Sequence, residues 1–243
     1  MSDLGGQALN KVAEIGLSNQ LDEVKNLEVE IETDPLKLMS GTVDSVSIKA
    51  EGLVMNHDLR IEEMEMHTGH VSINPMSVAF GKIELTRPTD AETHVVLTEK
   101  DVNRAFNSDF IRDKMQDLKV RINGELAIVD THQIEFGLPG DGKIFLSTEV
   151  TLQSTQEKKR VAFTTVPKVG QGGQQVLLEE VQYIEGQDLS PELTEALLSQ
   201  ARELLNLKNF ELDGMALKLK KLDVQKGKLV LESEAHVEHF PAP

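Results

Sequence analysis

The sequence predicts an α+β fold built on an antiparallel sheet with one apolar face and too little helix to cover it. Three observations carry this. First, LEVEIE (27–32) alternates without a fault: Leu27, Val29 and Ile31 point one way and Glu28, Glu30 and Glu32 the other, the period of a half-buried strand. Second, the same alternation recurs in about ten segments, while only three stretches carry a helical period. Third, ten strands about 4.8 Å apart make a flat sheet nearly 50 Å wide, whereas three helices about 10 Å thick span roughly 30 Å. The sheet must therefore curl around the helices, split into two layers, or meet a partner.

The elements follow in order. Residues 4–18 read as an amphipathic helix with Leu4, Ala8, Val12 and Ile15 on its apolar face and Gln7, Asn10, Glu14 and Ser18 on the opposite side. LEVEIE follows as a strand, and Asp34-Pro35 reads as a turn. In VDSVSIKAEGLVM, Val46, Ile48 and Ala50 alternate; LRIEEMEM begins in phase with Leu59 and Ile61 and then slips to Met64 and Met66, which suggests a bulge. NPMSVAFGK (74–82) reads as a short helical turn, and KIELTRP and AETHVVL as strands around Pro88. A second helix is predicted over 98–116, opened by Thr98 with Asp101 three residues on, a variant of the capping box. Strands resume with LKVRI, LAIV and QIEFGL; PGDGK (139–143) is a hairpin turn. IFLSTEVTL, VAFTTV and QQVLLEEVQYI continue the sheet. The third helix (190–207) has Ser190 as cap and Pro191 at its first position, with Leu193, Ala196, Leu197, Ala201, Leu204 and Leu205 in its apolar stripe. Two strands split at Lys226-Gly227 close the chain. With no low-complexity segment or long linker, 1–243 reads as one domain: N-terminal helix 1–24, strands 25–97, helix 98–116, strands 117–188, helix 190–207 and strands 208–240.

Composition narrows the function. A net charge of −16 argues against nucleic acid and against docking on an anionic bilayer through a broad basic face. With no Cys there is no disulfide framework, thiol nucleophile or thiolate metal site. No apolar run reaches signal-peptide or transmembrane length, so the chain reads as cytoplasmic or peripheral at a membrane. His67/His70 and His236/His239 are each spaced by three, which puts them on opposite faces of a strand; they read as surface histidines and no metal is expected. GQGG (170–173) lacks the Lys-Ser/Thr of a phosphate-binding loop, and nothing matches GxSxG, so no catalytic residue and no enzyme activity is expected.

The apolar inner face is rich in Leu, Val, Ile, Met and Phe and poor in polar aromatics (Trp 0, Tyr 1). Such a lining suits acyl chains and offers few groups to orient a polar substrate; a dry core without a cavity satisfies the same pattern. The whole string, above all LTEKDVNRAF (97–106), INP (73–75), GKIELTRP (81–88) and ARELLNLKNFELDGMALKLKKLDVQKGKLVL, resembles the LmeA family of bacterial phospholipid-binding proteins from about residue 17 onward. The resemblance implies a fold like the tubular lipid-binding (TULIP) modules, a strongly curved antiparallel sheet wrapped around long helices. It also implies a non-catalytic protein that binds and transfers phospholipid. Envelope members carry an N-terminal signal or anchor that this chain lacks. Expected lipid contacts are Phe106, Phe110, Leu197, Ala201 and Leu204 on helices and Val46, Ile48 and Val120 on strands. The expected partner is phospholipid or a membrane surface, met transiently and without a cofactor; self-association is left open. The alternative is a scaffold whose apolar face is covered by another subunit.

Overall fold

A computed structural model describes residues 4–18, 21–55, 58–79, 84–122, 124–184, 191–206 and 214–239. In chain order the elements are α1 (Leu4–Ser18), β1 (Asn26–Glu32), α2 (Pro35–Met39), β2 (Thr42–Val43), β3 (Ser45–Met55), β4 (Leu59–Thr68), β5 (Val71–Ser72), α3 (Pro75–Ala79) and β6 (Thr89–Thr98). Then come α4 (Glu99–Phe106), α5 (Asp109–Lys114), β7 (Leu118–Ile122), β8 (Glu125–Gly140), β9 (Lys143–Leu152), β10 (Lys158–Val169), β11 (Val176–Tyr183), α6 (Pro191–Leu204), β12 (Met215–Gln225) and β13 (Lys228–Val237).

The protein is mostly antiparallel β, its sheet curled like a half-barrel, with few and short helices. Besides curling, the strands split into a six-stranded sheet in the order β1-β3-β4-β6-β13-β12 and a five-stranded sheet β11-β10-β9-β8-β7, with a small β2-β5 pair at one end. Across the larger sheet the alternation stays in step, so that Leu27, Ala50, Met64, Val95, Leu231 and Leu222 fall in one row. The two sheets meet at the end of β12–β13, where the Gly227 N–H donates to the Leu138 carbonyl (3.0 Å) and the Leu219 N–H to the Gly173 carbonyl (2.8 Å). The main core lies between the five-stranded sheet and α4, α5 and α6, joined by Leu97, Leu222, Val224 and Leu229 from the other sheet.

Of the three helices expected, 4–18 forms and 190–207 forms over Pro191–Leu204, but the one over 98–116 does not. The predicted 98–116 helix breaks in two because Asn107 caps the end of α4, and Ser108, in extended conformation, caps α5 by accepting from the Ile111 N–H. The longest helices are α1 and α6, with 15 and 14 residues. The capping box at Thr98 and Asp101 forms as predicted. So does the hairpin turn at 139–143: Asp141 (φ 55°) and Gly142 (φ 72°) are both left-handed, as a two-residue turn between twisted strands requires. Ser190 and Gly81 lie outside the described residues, as do Lys82 and Ile83 of KIELTRP; residues 84–88 are described and form no strand. Of that segment Leu85 makes only an isolated bridge to Ile73. Asp34-Pro35 opens a helix rather than a turn: the Asp34 carboxylate accepts from the Leu36 and Lys37 N–H groups and Pro35 takes the first position.

The slip in LRIEEMEM has a different cause from the one expected. β3 and β4 keep one register from Val46↔Thr68 to Met55↔Leu59, with no extra residue on either side. Both strands change apolar phase at the same place, Ala50 to Leu53 on one and Ile61 to Met64 on the other, beside Gly52 at φ +59°. A left-handed residue there turns the ribbon, and its missing Cβ matters, since one would sit 3.0 Å from Lys25 Cβ and 3.3 Å from Arg60 Nη2.

α1 and α4 do not merely lie on a sheet; they cap strand edges. The Ile31 N–H donates to Asn10 Oδ1 (3.0 Å) and the Val29 N–H to the Glu14 carboxylate. Along β8, beyond the end of β7, the N–H groups of Leu138, Phe136 and Ile134 donate to Glu99 Oε2 (2.7 Å), Asn103 Oδ1 (2.9 Å) and Asn107 Oδ1 (3.0 Å). The two asparagines return a bond each from Nδ2, to the Phe136 and Ile134 carbonyls (2.7 and 2.8 Å). The spacings match: four helical residues advance about 6 Å and two strand residues about 6.6 Å. This corrects the predicted orientation of α1 at three positions. Asn10 and Glu14, assigned to the solvent side, face the strand, while Ile15 is 54% exposed.

Candidate functional site: an apolar pocket under three helices

The helices that carry most of the expected lipid contacts converge on the five-stranded sheet. α4 is fixed there by its ladder to β8 and tied to the other sheet through Asp101, which is 1% exposed. Its carboxylate accepts from Thr98 Oγ1 (2.6 Å), the Thr98 N–H (2.9 Å) and Arg60 Nη1 (2.6 Å). Burial pushes this carboxyl up, but the bonds from Thr98 and Arg60 outweigh it and hold it below its ordinary value. α6 is linked to α5 where Gln200 Nε2 donates to the Lys114 carbonyl (3.4 Å).

Between these helices and the sheet lies an apolar pocket of about 40 Å³, walled by Phe106, Met115, Ile134, Leu146, Phe163, Leu197 and Ala201. Phe106 stacks on Phe136, with ring centroids 5.7 Å apart and planes at 30°. Beside it the half-buried Phe110 carries the Lys114 ammonium 4.9 Å above its ring centre. A space of this size holds a few water molecules; pockets that enclose a small-molecule ligand run to about 300–1,000 Å³. At rest the trough is nearly filled with side chains.

Of the eight expected contacts, the structure brings Phe106, Leu197 and Ala201 together in this pocket, with Phe110 packed against the same core. Val120 is buried in that core away from the pocket lining. Leu204 lies in α6, and its side chain lies outside the described residues. Val46 and Ile48 belong to the other sheet. Val46 packs on the small cluster of Val43, Val71 and Ile73, and Ile48 borders a separate hollow of about 550 Å³ on the six-stranded sheet. That hollow is lined chiefly by polar groups, among them Lys49, Glu65, His67, His94 and Glu232. The sequence reading missed Met115, Ile134, Leu146 and Phe163 as pocket residues. The alternation of Ile134, Leu146 and Phe163 in QIEFGL, IFLSTEVTL and VAFTTV marks those three as inward, but nothing local says which helix they meet, and Met115 lies at the end of α5.

His67 pairs with Ser47 (3.0 Å) and His236 with Asp90 (2.7 Å). Among the described residues no group of three or more His, Asp or Glu is placed to hold a metal ion, and no helix is long and apolar enough to cross a membrane. Residues 1–234 match the family described as LmeA-like phospholipid-binding. No curated protein and no solved structure matches the chain.

Proposed function

The chain belongs to the LmeA-like phospholipid-binding family, and from that premise we propose that it takes up phospholipid with the acyl chains between the five-stranded sheet and α4, α5 and α6. The observation that supports this is the pocket itself: an apolar seam under three short helices, with no buried charge in its wall. Its resting volume means that uptake displaces side chains, and the break between α4 and α5 at Asn107-Ser108 gives a place to yield. Each CH₂ buried in the seam is worth about 0.8 kcal/mol, so an enclosed tail balances what it loses on leaving the membrane. Lys114, over the Phe110 ring at the end of α5, is positioned to meet the head-group phosphate. In this reading residues 1–243 act as one TULIP-like lipid-binding domain. It binds without covalent chemistry, hands lipid between membranes, and uses Phe106, Phe110, Leu197, Ala201 and Leu204 as contacts. Val46 and Ile48 serve only if the trough extends along both sheets, and Val120 only if it reaches β7.

Organic extraction of freshly purified protein, followed by mass spectrometry, tests the proposal. Phospholipid in near-stoichiometric amount is expected, and it should fall sharply in Ala201→Phe, which fills the pocket without adding charge, and in Phe106→Asp. A lipid-free extract together with no uptake of added phospholipid refutes the reading. Unchanged uptake by a folded Phe106→Asp protein removes Phe106 from the site.

A further inference from the structure

Among the described residues the most exposed large apolar side chains are Leu36, Met39, Met76 and Leu126, and the first three stand together, away from the pocket lining. Leu36 and Met39 are each 77% exposed and Met76 is 67% exposed. Leu36 and Met39 lie three residues apart on α2, hence on one face, while Leu38 between them packs inward. Met76 lies on α3. The two short helices meet at Gly41: the Ile73 N–H donates to the Gly41 carbonyl (2.9 Å), and a Cβ on Gly41 would lie 3.2 Å from the Pro75 ring. Beneath them the buried Val43, Val71 and Ile73 form a cluster with Ile31, Leu38 and Val46. The knuckle is thus a firm platform, at the end of the six-stranded sheet away from its junction with the five-stranded one, with three apolar side chains standing out of it.

We propose that this knuckle is the surface by which the protein docks on a lipid bilayer. The size of the exposed patch favours a bilayer over a protein partner or a second copy. Three Leu or Met side chains offer roughly 300 Å² of apolar surface, well short of the ~800 Å² per partner that a stable protein interface buries. A bilayer has no such requirement, because its hydrocarbon closes around each side chain separately. The charge pattern sets the mode of binding: Lys37, the cation on α2, is paired with Asp44 (2.7 Å), Asp34 caps the same helix, and the chain as a whole carries −16. The knuckle therefore gains nothing from an anionic surface and binds by insertion alone. The choice of a bilayer rests on the phospholipid-binding reading, since a protein that collects phospholipid has to reach the membrane holding it.

The experiment is flotation with phosphatidylcholine vesicles, with and without phosphatidylglycerol, at low and high salt. Wild type is expected to float with little dependence on salt or on the anionic lipid. The triple variant Leu36→Ser, Met39→Ser, Met76→Ser should lose partitioning by on the order of tenfold per side chain. Binding of monomeric dihexanoyl-phosphatidylcholine by the triple variant should be unchanged, which separates docking from the pocket. The chain has no Trp, so Met39→Trp supplies a second measurement on otherwise intact protein. Its emission should shift to the blue on vesicles and be quenched by bromine-bearing lipid. Docking at the knuckle is overturned by a wild type that does not float, by a triple variant that floats equally well, by an unshifted Met39→Trp, or by a wild-type dimer that the triple variant splits. Flotation without uptake of the short-chain lipid leaves docking in place and sinks the pocket reading instead.

Discussion

Replacing Asn103 by Leu tests the idea that α4 stands in for a missing strand. Asn103 serves the Phe136 N–H and C=O, the middle rung of the ladder along β8, and also donates to the Glu99 carbonyl (2.9 Å). Leucine matches its size and helix preference but offers no side-chain hydrogen bond, so two strand groups lose their partner and the Glu99 carbonyl keeps only its helix bond. A buried group left unpaired costs about 1–3 kcal/mol. These are partly buried, so water restores a share, and the new side chain recovers about 1 kcal/mol of apolar burial. The net loss expected is about 2 kcal/mol, a substantial part of the ~5–15 kcal/mol that holds a domain folded. Urea unfolding should show the midpoint falling by roughly 1 M with the slope unchanged. Amide exchange supplies the local reading: the Phe136 N–H should exchange much faster, while that of Glu135, which faces Ser147 on β9, keeps its protection. A loss below about 0.5 kcal/mol with unaltered exchange at Phe136 would show that the ladder is incidental.

Three further outcomes follow from the same physics. Gly52→Ala places a Cβ at φ +59° and 3.0 Å from Lys25 Cβ, so it should cost about 1–3 kcal/mol in thermal or urea unfolding; a neutral result would mean that the ribbon turns elsewhere. Asp101 has its folded pKa held below its unfolded value of about 3.9, so its contribution is complete above that value and disappears as pH falls through the lower folded one. Acid unfolding should therefore steepen below about pH 4, and Asp101→Asn should be less stable at pH 7 with a flatter acid limb; parallel curves for the two proteins would discount the Arg60–Asp101 link. Leu197→Ala, at a site 4% exposed in the pocket wall, should cost about 2–5 kcal/mol by calorimetry, and bound lipid should recover part of that loss.

What the sequence disclosed and what it hid divide along the range of the interactions. Strands with a buried face were legible from alternation alone, as in β1 and β13, because the period of two is a local property. So were the turn at Asp141-Gly142 and the cap at Thr98-Asp101, where two or three neighbouring residues settle the backbone. α2 was missed because five residues are too few to show a period, although Asp34-Pro35 before an apolar pair is a helix-opening signal. The break at Asn107-Ser108 was missed for a different reason. The helical period continues across it, and only the Ile134 edge that Asn107 serves makes leaving the helix favourable. Non-local demand likewise misled the reading of α1. Polar side chains at helical spacing look solvent-facing until an unpaired strand edge competes with water for them, as Ile31 and Val29 do for Asn10 and Glu14. The division into sheets of six and five strands depends on distant pairings such as Val237↔Thr89, which no local window contains. Half of the pocket, its helical side, was legible from the stripe containing Leu197 and Ala201. The β wall opposite became identifiable only once α4, α5 and α6 had a sheet to lie on.

The helix-bound edges bear on how such a protein survives its own work. An exposed strand margin is a template on which another chain can build, and the hazard grows when a molecule must part its interior to admit a guest. Here the margins of β1 and the far half of β8 end in side-chain amides and carboxylates, and that of β12 meets the Gly173 loop. None of these offers the repeating donor–acceptor row along which fibrils grow. If the greasy seam opens as proposed, these three margins do not recruit a neighbouring chain into a stack.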